Sequence, residues 1–277
     1  PMEPQTASQV QVMGIDAGGT MTDTFFVRAD GRFVVGKAQS NPDDESLAIF
    51  ESSQDALKHW QRSVNDVYPE LVTGVYSGTA MLNRVVQRKG LEVGLICNRG
   101  FEQVHSMGRA IQSYLGYALE ERIHLNTHRY DQPLVPISRT RGVTERTDVQ
   151  GEIVIELREN EVRKAVRELV EAGAKAIVIC FLQSHKNATS ELRARDVCRE
   201  ELKRLGVDIP VFASVDYYPS RKESHRMNTT VLEAYAAEPS RQTLKKVSDR
   251  FKKNGAHFDL RVMATHGGTI SWKAKEL

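Results

Sequence analysis

No apolar stretch in this sequence approaches the roughly 18 residues that a membrane-crossing helix needs. The opening residues, Pro1 to Thr6, have neither the cationic start nor the apolar stretch of a secretory signal. Cysteine is scarce: Cys97, Cys180 and Cys198 lie far apart, without zinc-like spacing or a disulfide framework. Two of them sit in apolar runs (Leu91–Cys97 and Ala176–Leu182), where a thiol acts as a small hydrophobe. A cytoplasmic location is expected. Charge of one sign is missing too, since 38 Lys+Arg face 36 Asp+Glu, for a net charge of +2. That balance argues against a dedicated nucleic-acid binder. There is no tandem repeat and no low-complexity tract. What is there is ordinary for a globular chain, 40% hydrophobic and 27% charged, and 277 residues suit one large or two small domains.

The first forty residues read as a β-meander: Val10–Ile15, Thr24–Arg28 and Phe33–Lys37, with Asp30-Gly31 as a two-residue turn. Asn41-Pro42-Asp43 then opens a helix whose apolar stripe is Leu47, Phe50, Leu57 and Trp60. From Leu71 onward strands alternate with helices, which predicts a parallel or mixed sheet with right-handed crossovers. Residues 112–150 interrupt that rhythm. It resumes from Glu152 and ends on a helix over Thr230–Asn254, kinked at Pro239, and a last strand at Leu260–Ala264. The fold class is α/β. The boundaries read this way are a phosphate-loop region over 1–110, an insertion or surface excursion over 111–150, and a second α/β region over 151–277.

The most informative stretch runs from Gly14 to Asp23. It is not a P-loop, because no Gly-Lys-Ser/Thr follows, and not a dinucleotide fingerprint, because a strand follows in place of a helix. Gly18 and Gly19 therefore belong to a hairpin turn. Adjacent glycines let the backbone approach a ligand and aim N–H groups into one concavity, which suits phosphate oxygens. Thr20 and Thr22 add hydroxyls, and Asp16 is placed to hold magnesium through water. On residues alone, a phosphate cradle and a plain glycine turn fit about equally.

Ser77-Gly78-Thr79 falls where a strand meets a helix, so Gly78 and Thr79 are anion-binding candidates; Thr79 is more simply the helix cap. Arg221, Lys222, Glu223, His225 and Arg226 form a dense charged cluster, read either as a substrate or phosphate contact or as a solvated face. His124 and His128, with Asp131, have helical metal-pair spacing, but Pro133 and Pro136 oppose a helix there. His105, Arg109 and Tyr114 are cleft candidates on polarity alone. The sequons at Asn187 and Asn228 mean little without a secretory signal.

Four stretches together resemble the hydantoinase/oxoprolinase family, in the family's order. They are Asp16-Ala-Gly-Gly-Thr-Met-Thr-Asp23, Tyr76–Gly90, Glu223–Tyr235 and Met263-Ala-Thr-His-Gly-Gly-Thr269. The resemblance is strongest to the family's ketone-carboxylating branch. It implies half of an actin-like ATPase (ribonuclease H-like) with a mixed sheet, plus a further α/β region, using ATP and Mg. The implied reaction phosphorylates acetone, as its enolate, and bicarbonate toward acetoacetate, in an assembly with carboxylase α and γ subunits. The alternatives are an ATP-dependent cyclic amidase acting on hydantoin or 5-oxoproline, and a non-catalytic assembly fragment. Asp16 and Asp23 become the implied catalytic acids, with Asp16 carrying magnesium through water. Gly18, Gly19, Thr20, Thr22, Gly78 and Thr79 become the phosphate contacts, and Arg221, His225 and Arg226 the substrate contacts. The family's second Asp-Ile-Gly-Gly-Thr-like loop is not met before Leu277, so these residues are expected to form one jaw of a two-jawed site.

Overall fold

A computed structural model describes residues 9–41, 44–107, 116–124, 132–264 and 267–274. In chain order the elements are β1 (Val10–Ala17), β2 (Met21–Arg28), β3 (Phe33–Gln39), α1 (Glu45–Lys58), α2 (Val64–Val67), β4 (Thr73–Gly78) and α3 (Ala80–Val86). There follow β5 (Val93–Asn98), α4 (Val104–Met107), α5 (Leu119–Ile123), β6 (Thr140–Val143), β7 (Arg146–Thr147), β8 (Ile153–Ile155), α6 (Glu159–Glu171) and β9 (Ala176–Cys180). The rest are α7 (Thr189–Leu205), β10 (Val211–Ala213), α8 (Glu223–Leu232), a π-helical turn (Glu233–Ala237), α9 (Glu238–Lys253), β11 (Arg261–Met263) and β12 (Thr269–Ser271). His128, Asp131, Arg109 and Tyr114 lie outside the described residues.

The chain forms two compact units, residues 1–89 with 236–277, and residues 90–235. These limits differ from those read at 110 and 150. The physical reason is strand pairing: β5 joins β6 and β9, whereas β11 returns to β4. Periodicity along a chain reveals strands but not which sheet each one enters.

The first unit is built on a mixed six-stranded sheet in the order β12-β11-β4-β1-β2-β3. β1, β2 and β3 form the expected antiparallel meander, and β4 lies parallel to β1. Four residues, Ala29 to Arg32, separate β2 from β3, not two. The Gly31 amide donates to Arg28 O and Gly31 takes φ +84°, a left-handed value that favours glycine. Met13, Ile15, Phe26 and the buried Thr22 and Thr24 face the core.

Gly36 lets α1 lie directly on this sheet: a Cβ there would fall 2.1 Å from the Ala56 nitrogen and 2.2 Å from the Ser52 carbonyl oxygen. So close an approach calls for small residues. The buried face of α1 is Ser46, Ala48, Ile49, Ser52, Ser53, Ala56 and Leu57. Of the predicted stripe only Leu57 is fully buried; Phe50 and Trp60 are partly covered and Leu47 is exposed.

The second unit holds the parallel sheet β10-β9-β5-β6 and the hairpin β7-β8. α6 buries Val162, Ala165, Val166 and Leu169, the i, i+3, i+4, i+7 face of an amphipathic helix. α7 ends at Gly206, which takes φ 68°. Between them Arg167 pairs with the buried Glu201 at 2.6 Å and Arg193 with Glu159 at 2.7 Å. Cys97, Cys180 and Cys198 are buried and free, and burial pushes each thiol up to about 12. They act as small hydrophobes.

The long helix expected from Thr230 begins earlier, at Glu223, and changes to π-helical hydrogen bonding over Glu233–Ala237, just before Pro239. Proline has no N–H to donate four residues back. The carbonyl it leaves, that of Tyr235, instead accepts the Leu91 amide at 3.0 Å. β12 went unread in the sequence; at three residues it is too short to show a period, and it pairs antiparallel with β11.

Candidate functional site

Gly18 and Gly19 sit at the tip of the β1–β2 hairpin, as the sequence predicts. The Gly18 amide donates to Met21 O at 3.0 Å, and a Cβ on Gly18 would stand 2.8 Å from that same oxygen. Close backbone approach, and not a left-handed φ, is what calls for glycine here. Ser40 fastens the turn from β3: its amide donates to Thr20 O at 2.9 Å and its hydroxyl to Gly18 O at 2.7 Å. The buried Thr22 hydroxyl lies 3.0 Å from Ser40 Oγ, so with the Ser40 proton committed to Gly18 it is Thr22 that donates. Thr22 thus braces the loop and has no hydroxyl to offer a ligand. Thr20 is exposed. Among the described residues the Gly19 and Thr20 amides have no hydrogen-bond partner.

β4 brings the second predicted stretch alongside. Ala17 registers with Gly78, and Asp16 with Ser77. A Cβ on Gly78 would meet the Tyr76 hydroxyl at 2.7 Å. Thr79 occupies the position before α3 but does not cap it. Its ψ of 14° is already close to helical, and its hydroxyl accepts from Asn83 Nδ2 at 3.1 Å. Asn83 in turn faces the glycine turn, its Nδ2 3.6 Å from where a Gly19 Cβ would be.

Asp16 is exposed on the open face of the sheet, directly opposite Asp23. Asp23 is paired with Lys37 at 3.0 Å, so one row across three strands reads Lys37, Asp23, Asp16. Two adjoining carboxylates are hard oxygen donors at a solvated position. That suits magnesium, which keeps much of its own water. Among the described residues no group of three or more His, Cys, Asp or Glu could hold a metal directly.

A cavity of about 320 Å³ opens beside the turn. Ala17, Gly18, Gly19, Glu45, Arg84 and Lys89 are among its lining residues. Glu45 accepts the Tyr76 hydroxyl at 2.7 Å. Sequence reasoning missed Glu45, Arg84 and Lys89. They lie at least 26 residues from the glycines, and although Arg84 and Lys89 fall within the Tyr76–Gly90 stretch, no local pattern announces a contact made only by folding.

Arg226 is not a substrate contact. It is fully buried, donating from Nη2 to Phe181 O at 2.6 Å, from Nη1 to Ser220 O at 2.6 Å and from Nε to Ser214 Oγ at 3.3 Å. Glu191, equally buried, accepts from Ser214 Oγ and from the amides of Phe181 and Val215. Burial pushes its carboxyl above the ordinary range, while the two amides work the other way. The motif Glu223–Tyr235 therefore carries an internal arginine, while Arg221 and His225 remain at the surface. His105 accepts the Val135 amide at Nε2, 3.3 Å, which leaves Nδ1 to donate to Asn228 Oδ1 at 3.2 Å. Burial lowers its pKa, so it is a satisfied neutral histidine. His124 closes α5; His128 and Asp131 lie outside the described residues.

An antiparallel meander continued by parallel β4 and β11, with a glycine turn at the β1 end, defines half of an actin-like, ribonuclease H-like ATPase fold. The chain belongs to the hydantoinase/oxoprolinase family: residues 12–202 match the hydantoinase/oxoprolinase N-terminal region and residues 226–277 the hydantoinase/oxoprolinase domain. It is 66% identical over 268 residues to the acetone carboxylase β subunit of Xanthobacter autotrophicus, covering 97% of this chain and 37% of that protein. It is 31% identical to the acetophenone carboxylase γ subunit of Aromatoleum aromaticum, covering 94% of this chain and 36% of that one. A nucleotide-free acetone carboxylase structure superposes with a TM-score of 0.89 at 66% identity, over 96% of this chain and 38% of that chain. The ATP-dependent caprolactamase of Pseudomonas jessenii superposes at 0.80 and 26% identity, over 93% and 36%. The chain thus spans little more than a third of the length of these relatives.

Proposed function

We propose that this chain is the glycine-turn part of an ATP-dependent carboxylase that phosphorylates acetone, as its enolate, and bicarbonate toward acetoacetate. The observation that carries this reading is the donor-rich cavity at Gly18–Gly19, joined to 66% identity with an acetone carboxylase β subunit. ATP supplies the phosphoryl group. In phosphoryl transfer, positioning and charge neutralisation supply most of the catalysis. The Gly19 and Thr20 amides are the donors offered to phosphate oxygens, with Gly78 and Thr79 flanking them from β4. Thr22 and Ser40 hold the turn in shape. Asp16, seconded by Asp23, holds magnesium through water.

Arg221 and His225 are retained as substrate contacts, without Arg226. The partners are the carboxylase α and γ subunits and the remainder of a β subunit, and the setting is the cytoplasm. Among the described residues no helix is long and apolar enough to cross a membrane. A second reading, opening of a cyclic amide, is favoured by the 27% identity to the caprolactamase α subunit. ATP consumption by the native-length protein, assembled with its partner subunits, separates the two. The first predicts hydrolysis stimulated by acetone with bicarbonate; stimulation by a hydantoin or 5-oxoproline alone would replace it with the second.

A further inference from the structure

The cavity beside the glycine turn contains an arginine that the fold leaves unused. Arg84 Nε is shielded from solvent and has no acceptor. Among the described residues the Arg84 side chain makes no hydrogen bond or ion pair, although the Glu45 carboxylate lines the same cavity. Glu45 is instead engaged by the Tyr76 hydroxyl, from the sheet side. A buried donor without a partner costs on the order of 1–3 kcal/mol. A fold that carries such a cost at a cavity wall is holding the donor for something that enters the cavity.

The other unpaired groups there have the same character. Among the described residues the Gly19 amide on the wall is a donor without an acceptor, as is that of Thr20 next to it in the turn, and Lys89 is a second cation on the wall. Among the described residues Glu45 is the one carboxylate that lines the cavity, against two cations. That excess of positive charge among the described lining residues fits an oxyanion. A guanidinium adds what a lone amide cannot, a planar fork matching two oxygens of one phosphate at once.

We propose that Arg84 is a binding residue that grips a phosphate group of the polyphosphate held at Gly18–Gly19. The assignment rests on the glycine-turn reading above and adds to it the side chain that neutralises the ligand. It also explains why α3 follows β4 so directly. The short step from Gly78 to Ala80 brings the first two turns of α3 over the hairpin tip, and Arg84 with them.

The test is calorimetric titration of the native-length protein with inorganic pyrophosphate and, separately, with magnesium-ATP. Wild type is compared with Arg84→Gln, Arg84→Lys and Gly19→Val. Arg84→Gln is expected to weaken both ligands about tenfold or more, as for loss of a charge-assisted bond. Arg84→Lys falls between, since it keeps the charge and loses the fork. The unfolding temperature of Arg84→Gln is expected to equal or exceed that of wild type, because no native bond is removed. A structural arginine would lower it. Arg84→Gln with wild-type affinity, while Gly19→Val has lost binding, overturns the role of Arg84 and leaves the glycine-turn reading standing. A wild-type protein that binds neither ligand overturns both. Weakening of ATP with pyrophosphate unaffected would place the arginine's contact off the phosphates and contradict the proposal.

Discussion

Ser40 donates its hydroxyl to the carbonyl oxygen of Gly18 across 2.7 Å, tying the end of β3 to the glycine turn. Because Thr22 in turn donates to Ser40, one hydroxyl carries the shape of the whole hairpin tip. Ser40→Ala removes that acceptor from the buried Thr22 and frees Gly18 O. It is expected to cost about 1–3 kcal/mol, the penalty for a buried polar group left unmatched. A urea unfolding curve with a lowered midpoint and unchanged slope is the expected outcome. An unmoved midpoint would show that the turn holds its shape without Ser40.

Arg226 separates a structural arginine from a ligand-binding one. Its donors are spent on Phe181 O, Ser220 O and Ser214 Oγ, and Ser214 in turn donates to the buried Glu191. Arg226→Ala leaves the interior acceptors Phe181 O, Ser220 O and Ser214 Oγ unmatched, at about 1–3 kcal/mol for each buried polar group. Arg226→Lys should recover only part, having no planar fork to serve three acceptors. Denaturant titration reads both values. A loss below about 1 kcal/mol for Arg226→Ala would contradict the internal role.

The two buried tyrosines of the first unit set an alkaline limit. Burial raises Tyr68 and Tyr76 above the ordinary value of 10, and for Tyr76 the neighbouring Glu45 carboxylate adds to the rise. A group whose pKa is raised on folding contributes stability that is present in full below its unfolded pKa and lost as pH rises beyond it. Above about pH 10 the two tyrosines therefore steepen the fall in the unfolding midpoint that the three buried thiols begin above about pH 9. Tyr76→Phe should make that fall shallower. An equally steep fall in the variant would remove Tyr76 from the explanation.

Much of this was legible in the sequence, and the failures share a cause. The β1–β3 meander and the glycine hairpin tip follow from local pattern: apolar and β-branched runs, and turn residues between them. The buried face of α1 was misread because Gly36 admits a helix lined with Ala and Ser, and those residues carry little hydrophobic signal. Thr79 was misread as a cap because its side chain is claimed by Asn83. Arg226 was misread as a substrate contact or a solvated charge because only the folded unit supplies Phe181 O, Ser220 O and Ser214 around it. Glu45, Arg84 and Lys89 join Gly18 and Gly19 only in three dimensions.

The central claim is that the cavity beside Gly18 and Gly19 holds the phosphates of ATP. Its most direct test is calorimetric titration of the native-length protein with magnesium-ATP, wild type against Gly19→Val. The variant places a branched side chain at an exposed turn position, where a Cβ meets nothing closer than Asn83 at 3.6 Å. Its fold should therefore survive while the cavity fills. The account predicts binding by wild type and loss of binding by a variant with an unchanged unfolding temperature. Equal binding by the two proteins, or none by wild type, would contradict it.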